Sequence, residues 1–225
     1  MLAKTAKQRL SWVPAWSRVA DQAERPANYI SGQGIQHYQK YLEDFDILTE
    51  LGLTAFRFGI EWARVQPAEN TWDQRAIEHY RVYIAELNRR GIEPILTLWH
   101  WTMPVWFTDK GGLEKRRNLV YFDRYVQRIA QEFGGDLRYV LTINEPNVYT
   151  GFSYATGEWP PQRKNLIKFA RVYYNLVLAH RRAYAILKAA SPELQVGVAA
   201  QLANIQPKRP DNGQSICLCQ QLVVS

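Results

Sequence analysis

The stretch QKYLEDFDILTELGLTAFRFGIEW (39–62) holds one complete structural unit. Tyr41, Leu42, Phe45, Leu48 and Leu51 recur at helical spacing, and Gly52 follows as a stop signal. LTAFRFGI (53–60) then reads as a strand rich in apolar and aromatic residues. Glu61 and Trp62 stand just beyond its end.

The same plan returns three times downstream. Residues 73–90 place Ile77, Tyr80, Ile84 and Leu87 on one helical face and end at Gly91, before the strand PILTLWH (94–100). NLVYFDRYVQRIAQEF (118–133) is a third helix, stopped by Gly134-Gly135 and followed by RYVLTIN (138–144). A long helix near 165–190 leads to LQVGVAA (194–200). Strands alternating with helices of this length build βαβ units on a parallel sheet. Their nearly unbroken apolar character fits burial on both faces.

Polar residues gather toward the C-terminal ends of these strands: Arg57, then Glu61, then His100 with Trp101, then Asn144 with Glu145. No G-x-G-x-x-G follows any strand, which argues against a dinucleotide site. Strand-end residues converging on one rim are how an eight-stranded α/β barrel assembles its site, so the expected fold class is α/β, a partial TIM (β/α)8 barrel with about four parallel strands and flanking helices. The 225 residues fall short of the roughly 250 typical of a whole barrel.

Composition narrows the function classes. Hydrophobic residues make up 47% and aromatic residues 13%, too much for a disordered chain. The net charge is +7, but the basic clusters Arg89-Arg90, Lys115-Arg116-Arg117, Arg181-Arg182 and Lys208-Arg209 are scattered among acidic residues. That is the pattern of solvated faces, and nucleic acid is not an expected partner. MLAKTAKQRLSW (1–12) lacks an apolar signal core, and no apolar run approaches the roughly 20 residues of a membrane span, so no membrane partner is expected. Two cysteines, Cys217 and Cys219, make no disulfide framework and are too few to hold a metal alone. The expected location is cytoplasmic, and no metal or organic cofactor is called for.

The most informative motif is LTINEPNVY (141–149). Pro146 disfavours helix at Glu145 and removes a donor, so the strand ends with a carboxyl group aimed off its edge. Asn144 adds a donor and an acceptor, suited to a hydroxyl-bearing ligand. LTLWHWTMP (96–104) brings His100 beside Trp99 and Trp101, with Trp106 close by, and GEWPP (157–161) adds another aromatic in a Pro-rich loop. Sugars stack on aromatic faces and hydrogen-bond to His and Asn. Taken singly, each feature also fits a bland role: a satisfied core histidine, an acidic cap, aromatic filling.

Together they resemble glycoside hydrolase family 1, the retaining (β/α)8 enzymes that include β-glucosidases and 6-phospho-β-glycosidases. The matching stretches are HYQKYLEDFDILTELGLTAFRFGIEWARVQP (37–67), RGIEPILTLWHWTMPVWFTDKGG (90–112), LTINEPNVYTGFSYATGEWPP (141–161) and LAHRRAY (178–184), in family order over about Tyr29 to Asp211. The resemblance implies a β-linked glycoside or oligosaccharide as substrate. It implies that Glu145 is the general acid/base and that Asn144 contacts the sugar 2-hydroxyl. It also implies that His100 and Trp101 line the cleavage subsite and that Arg57 orients the nucleophile carboxylate. In retaining enzymes that carboxylate lies roughly 5–5.5 Å from the acid/base.

The resemblance extends to the N-terminal half of the family alone. The nucleophile Glu of a T/I-E-N-G motif has no match in these residues; Asp211-Asn212-Gly213 reads as a turn. Glu61 and Glu158 are carboxylates without a matching family role. The expected organisation is an N-terminal segment, 1–28, lacking the family's first strand; a partial barrel, 29–213; and a tail, 214–225, that departs from the family. Four strands of an eight-stranded barrel leave two open edges, so self-association or a complementary half-barrel is expected. The expected activity is a retaining β-glycosidase carrying the acid/base half of its site. The alternative is a non-catalytic sugar-binding or assembly fragment.

Overall fold

The computed structural model describes residues 34–202. The segments 1–28 and 214–225, the Asp211–Gly213 turn and both cysteines lie outside these described residues.

The elements follow one another as α1 (His37–Glu50), β1 (Ala55–Gly59), α2 (Trp62–Val65), α3 (Gln74–Arg89), β2 (Glu93–Trp99) and α4 (Val105–Asp109). Then come α5 (Leu119–Phe133), β3 (Tyr139–Asn144), α6 (Pro146–Thr150), α7 (Leu166–Ala190) and β4 (Gln195–Ala199). The strands form one sheet in the order β1-β2-β3-β4, and every pairing is parallel. The four helix–strand units read from periodicity are all present.

Local signals explain the boundaries. Gly52 and Gly91 adopt φ of +67° and +70°, a conformation cheap only for glycine. The next residue in each case turns its N–H back onto the helix, Leu53 to Leu48 O and Ile92 to Leu87 O, both at 3.0 Å. Asp73 starts α3 by accepting from the N–H groups of Arg75 and Ala76 at 2.9 and 3.1 Å.

The core lies between the helices and one face of the sheet. Helix α5 turns Leu119, Phe122, Tyr125, Val126, Ile129, Ala130 and Phe133 inward, and α3 does so with Ala76, Ile77, Tyr80, Tyr83, Ile84 and Leu87. Each large apolar side chain so buried contributes roughly 1.5–3 kcal/mol. In β1, Phe56 and Phe58 meet the aromatic rings of α1 and α3, Phe56 against Phe45 and Phe58 against Tyr83. The alternate residues Ala55, Arg57 and Gly59 are exposed. The sheet therefore has a covered face and an open one at this edge.

Trp62, read with Glu61 as a strand-end residue, belongs to the core: it opens α2, is 2% exposed, and stacks on Tyr125 with ring centroids 5.0 Å apart. Of the basic clusters, Arg89-Arg90 and one arginine of Arg181-Arg182 pair locally, and Lys208-Arg209 lies outside the described residues. Arg90 pairs with Glu86 and Asp46, Arg89 with Glu86, and Arg182 with Asp123. None of the helices among the described residues is long and apolar enough to cross a membrane.

Candidate active site

The site stands where β2 and β3 end. Asn144 is the last residue of β3, and Glu145 is the cap before α6. Pro146 fits the first helical position, where no N–H is needed and a fixed φ helps. Glu145 takes φ 43° and ψ 64°, a left-handed conformation that costs a non-glycine residue of order 1–3 kcal/mol. Its backbone N–H donates to Ala199 O at 2.7 Å, so the edge of β4 holds the bend. The chain turns sharply there, and the half-buried Glu145 stays at the rim.

Arg57 reaches this point from β1. Its Nε donates to Thr97 Oγ1 at 2.9 Å and its Nη2 to Asn144 Oδ1 at 2.5 Å. A guanidinium only donates, so this contact fixes which way the Asn144 amide points. The Asn144 Oδ1 is thereby occupied, and its NH2 group is left to donate toward a hydroxyl oxygen. Arg57 sits in the middle of its five-residue strand, not at its end, and spans to Asn144 by its length.

The turn after β2 supplies the aromatic part. Trp101 has φ 73°, and Thr102 N–H closes the turn on His100 O at 2.9 Å. The Trp101 indole Nε1 donates to Asn144 O at 2.9 Å, joining the two strand ends. The His100 ring meets Trp101 edge-on, with centroids 4.9 Å apart. Trp159, from the Pro-rich loop, lies 4.7 Å from Trp101 and stacks on Phe152 at 4.7 Å. Trp101 also lines a cavity of about 180 Å³ with Thr102, Met103, Tyr149, Tyr154 and Arg163.

Electrostatics tie the cluster together. Burial holds the His100 imidazole below its usual pKa, the Arg57 guanidinium lowers it further, and the Glu145 carboxylate opposes both. The imidazole is thus neutral near pH 7 and can donate from one nitrogen while accepting at the other. Both charges act on His100, so Arg57, His100 and Glu145 share one neighbourhood.

The other carboxylates differ. Glu61 turns inward, with Oε1 accepting from Ala63 N–H at 3.3 Å and Oε2 from Thr102 Oγ1 at 2.8 Å. Burial raises its pKa. Glu158 is exposed in its loop. Among the described residues, no three His, Cys, Asp or Glu side chains gather in a metal-holding group. Sequence reasoning missed Thr97 and Thr102, whose parts depend on strand register, and placed Trp159 only as a generic loop aromatic.

The chain is 30% identical over 197 residues to β-glucosidase A of Acetivibrio thermocellus, covering 85% of this chain and 43% of that protein. It is 32% identical over 183 residues to the cytosolic β-glucosidase of Cavia porcellus, covering 80% and 39%. The solved Thermotoga maritima β-glucosidase in complex with deoxynojirimycin superposes with a TM-score of 0.85 at 25% identity, over 95% of this chain and 49% of that one. The chain spans less than half the length of these relatives, and its four parallel strands are part of a (β/α)8 barrel. The sequence model described as glycosyl hydrolase family 1 matches residues 12–222, and with the N-E-P bend, the His-Trp turn and the Arg57–Asn144 contact all standing on one rim, the chain belongs to that family.

Proposed function

We propose that the chain supplies the acid/base half of a retaining β-glycosidase site, for a β-linked glucoside or a related glycoside. Glu145 protonates the glycosidic oxygen as the bond to the anomeric carbon breaks, and then takes the proton from the water that attacks in the second step. Asn144 donates to the sugar 2-hydroxyl, and His100 and Trp101 line the subsite. Arg57 steadies Asn144 on one side and presents its remaining charge to the nucleophile carboxylate on the other.

The observation that carries this reading is the joining of the middle of β1 to the ends of β2 and β3 through Asn144, which accepts from both Arg57 and Trp101. The nucleophile is to come from outside these 225 residues, from a complementary half-barrel. The region 29–213 is the barrel portion in this reading. A cytoplasmic setting accords with the scarcity of cysteine and with the cytosolic relative.

A second reading, a sugar-binding fragment without turnover, is favoured by the lack of any T/I-E-N-G motif in the sequence. Aryl β-glucoside hydrolysis by the chain mixed with a complementary half-barrel that carries the nucleophile separates the two: turnover lost in Glu145→Gln supports the first, and cellobiose binding with no turnover in the mixture supports the second. The purified chain is expected to release no nitrophenol, even with azide or formate as substitute nucleophiles, yet to bind cellobiose. Turnover by the chain alone that Glu145→Gln abolishes would overturn the claim that the nucleophile comes from outside.

A further inference from the structure

Glu61 carries a carboxylate that the proposed chemistry does not use, yet it stands partly buried beside the site. Its backbone is fixed on every side. The N–H donates to Tyr80 Oη at 3.1 Å, and the carbonyl accepts from Arg64 and Val65 at 2.9 and 3.2 Å. One carboxylate oxygen accepts from Ala63 N–H, the other from Thr102 Oγ1. One oxygen accepts from an N–H, and the other meets a hydroxyl, which can donate to it or accept from it, so both contacts hold in either protonation state.

Thr102 closes the turn that presents His100 and Trp101. Trp101 is held at φ 73°, a conformation a bulky side chain adopts only where its surroundings leave no alternative. Two side-chain contacts act on this turn from opposite sides: the Trp101 indole on Asn144 O, and the Thr102 hydroxyl on the Glu61 carboxylate. On the N-terminal side the turn follows directly from Trp99, which pairs with Ile143 in the sheet. The Glu61 contact ties its C-terminal side to the end of β1, and so to the strand that also carries Arg57.

We propose that Glu61 is a positioning residue, whose carboxylate holds the left-handed Trp101 turn in the geometry that presents His100 and Trp101 to a sugar. It acts through Thr102 and touches no substrate. The sugar-facing part of this inference rests on the function proposed above; the holding of the turn does not.

The test uses the full 225-residue chain and reads the Trp101 indole N–H by NMR, its resonance assigned with Trp101→Phe. Glu61→Ala and Thr102→Val are each expected to shift that resonance and to raise its hydrogen-exchange rate about tenfold, the scale of one lost hydrogen bond. Protection of Leu96 and Val140 amides in the sheet should stay as in the native chain. Glu61→Gln should restore the native signal, because its amide can accept from Ala63 and donate to Thr102 Oγ1. The double variant should be no worse than either single change, since both remove one interaction. Deoxynojirimycin affinity should fall in step, about tenfold.

A native Trp101 signal in Thr102→Val would overturn the proposal, as would loss of protection throughout the sheet in Glu61→Ala with Thr102→Val silent. If Glu61→Ala does not fold, Thr102→Val and Glu61→Gln decide. If the indole responds as expected but the native chain binds no deoxynojirimycin, the sugar reading fails and the positioning of the turn stands.

Discussion

Arg57 and Asn144 are 87 residues apart in sequence, yet the guanidinium Nη2 lies 2.5 Å from the amide Oδ1, with Thr97 of the intervening strand holding the Arg57 Nε at 2.9 Å. This bridge crosses β2 and couples the first described strand to the residue next to Glu145. Asn144 is 3% exposed, so its Oδ1 depends on protein partners, while Arg57 itself faces the open side of the sheet.

Arg57→Met should therefore leave a nearly buried acceptor short of its donor. The expected loss is about 1 kcal/mol in urea unfolding, at the low end of the range for such groups because water can enter from the exposed side. Adding Asn144→Leu to Arg57→Met should cost less than the sum of the two single changes, since they remove the same contact. Additive losses would show that the bridge carries no energy.

His79 predicts an acid-sensitive stability. Its ring stacks on Tyr38 with centroids 3.7 Å apart, and its Nε2 is buried without a hydrogen-bond partner. Burial lowers its pKa from 6.5 to about 4, helped by the charges of Arg64 and His37. The unfolded imidazole takes up its proton near pH 6.5 and the folded one only near 4. Between those values the unfolded state binds more protons, so stability falls as pH drops through this window and the contribution is gone below about 4. His100 and His180 shift the same way, while the raised Glu61 and Asp123 oppose them. His79→Phe keeps the stack on Tyr38 and removes the titration. Its Tm should decline less than the native chain's between pH 7.5 and 5, and an equal decline would contradict the assignment.

The two outer strands lead to a prediction about association. Among the described residues β1 and β4 each pair on one side alone. Within β4, Val198 is 40% exposed, and on α7 Tyr174 is 56% and Val177 39% exposed. Unpaired edges flanked by apolar surface recruit partners. Light scattering on the purified chain is expected to give a mass above the 26.2 kDa of one copy, and Val198→Lys should lower it. A single-copy mass at high concentration would contradict this expectation.

Long periodic segments made the sheet and its helices readable in advance. In α5 the buried residues recur every three or four positions, and the strand Tyr139–Asn144 falls within the stretch read as RYVLTIN (138–144). Short elements left no such trace: α2 and α4 span 4 and 5 residues, too few for a period to show. This is why Trp62 looked like a rim residue and proved to be core. Glu145, Asn144, His100 and Trp101 were legible through their motifs. The left-handed backbone at Trp101 and Glu145 was not, because contacts from other strands impose it. Thr97 and Thr102 stayed hidden for the same reason, since a hydroxyl's partner across a sheet depends on register.

Calorimetric titration of the folded 225-residue chain with deoxynojirimycin, the amine sugar bound in the Thermotoga maritima β-glucosidase structure, tests the site most directly. Its protonated ring nitrogen stands where a sugar has its ring oxygen, next to the reacting carbon, and is drawn to a carboxylate on this rim, so the native chain should bind and Glu145→Gln should bind about tenfold more weakly, the scale of one charge-assisted hydrogen bond. Equal affinity in the two proteins, or none in a native chain whose fold is intact, would contradict the placing of Glu145 in a sugar site.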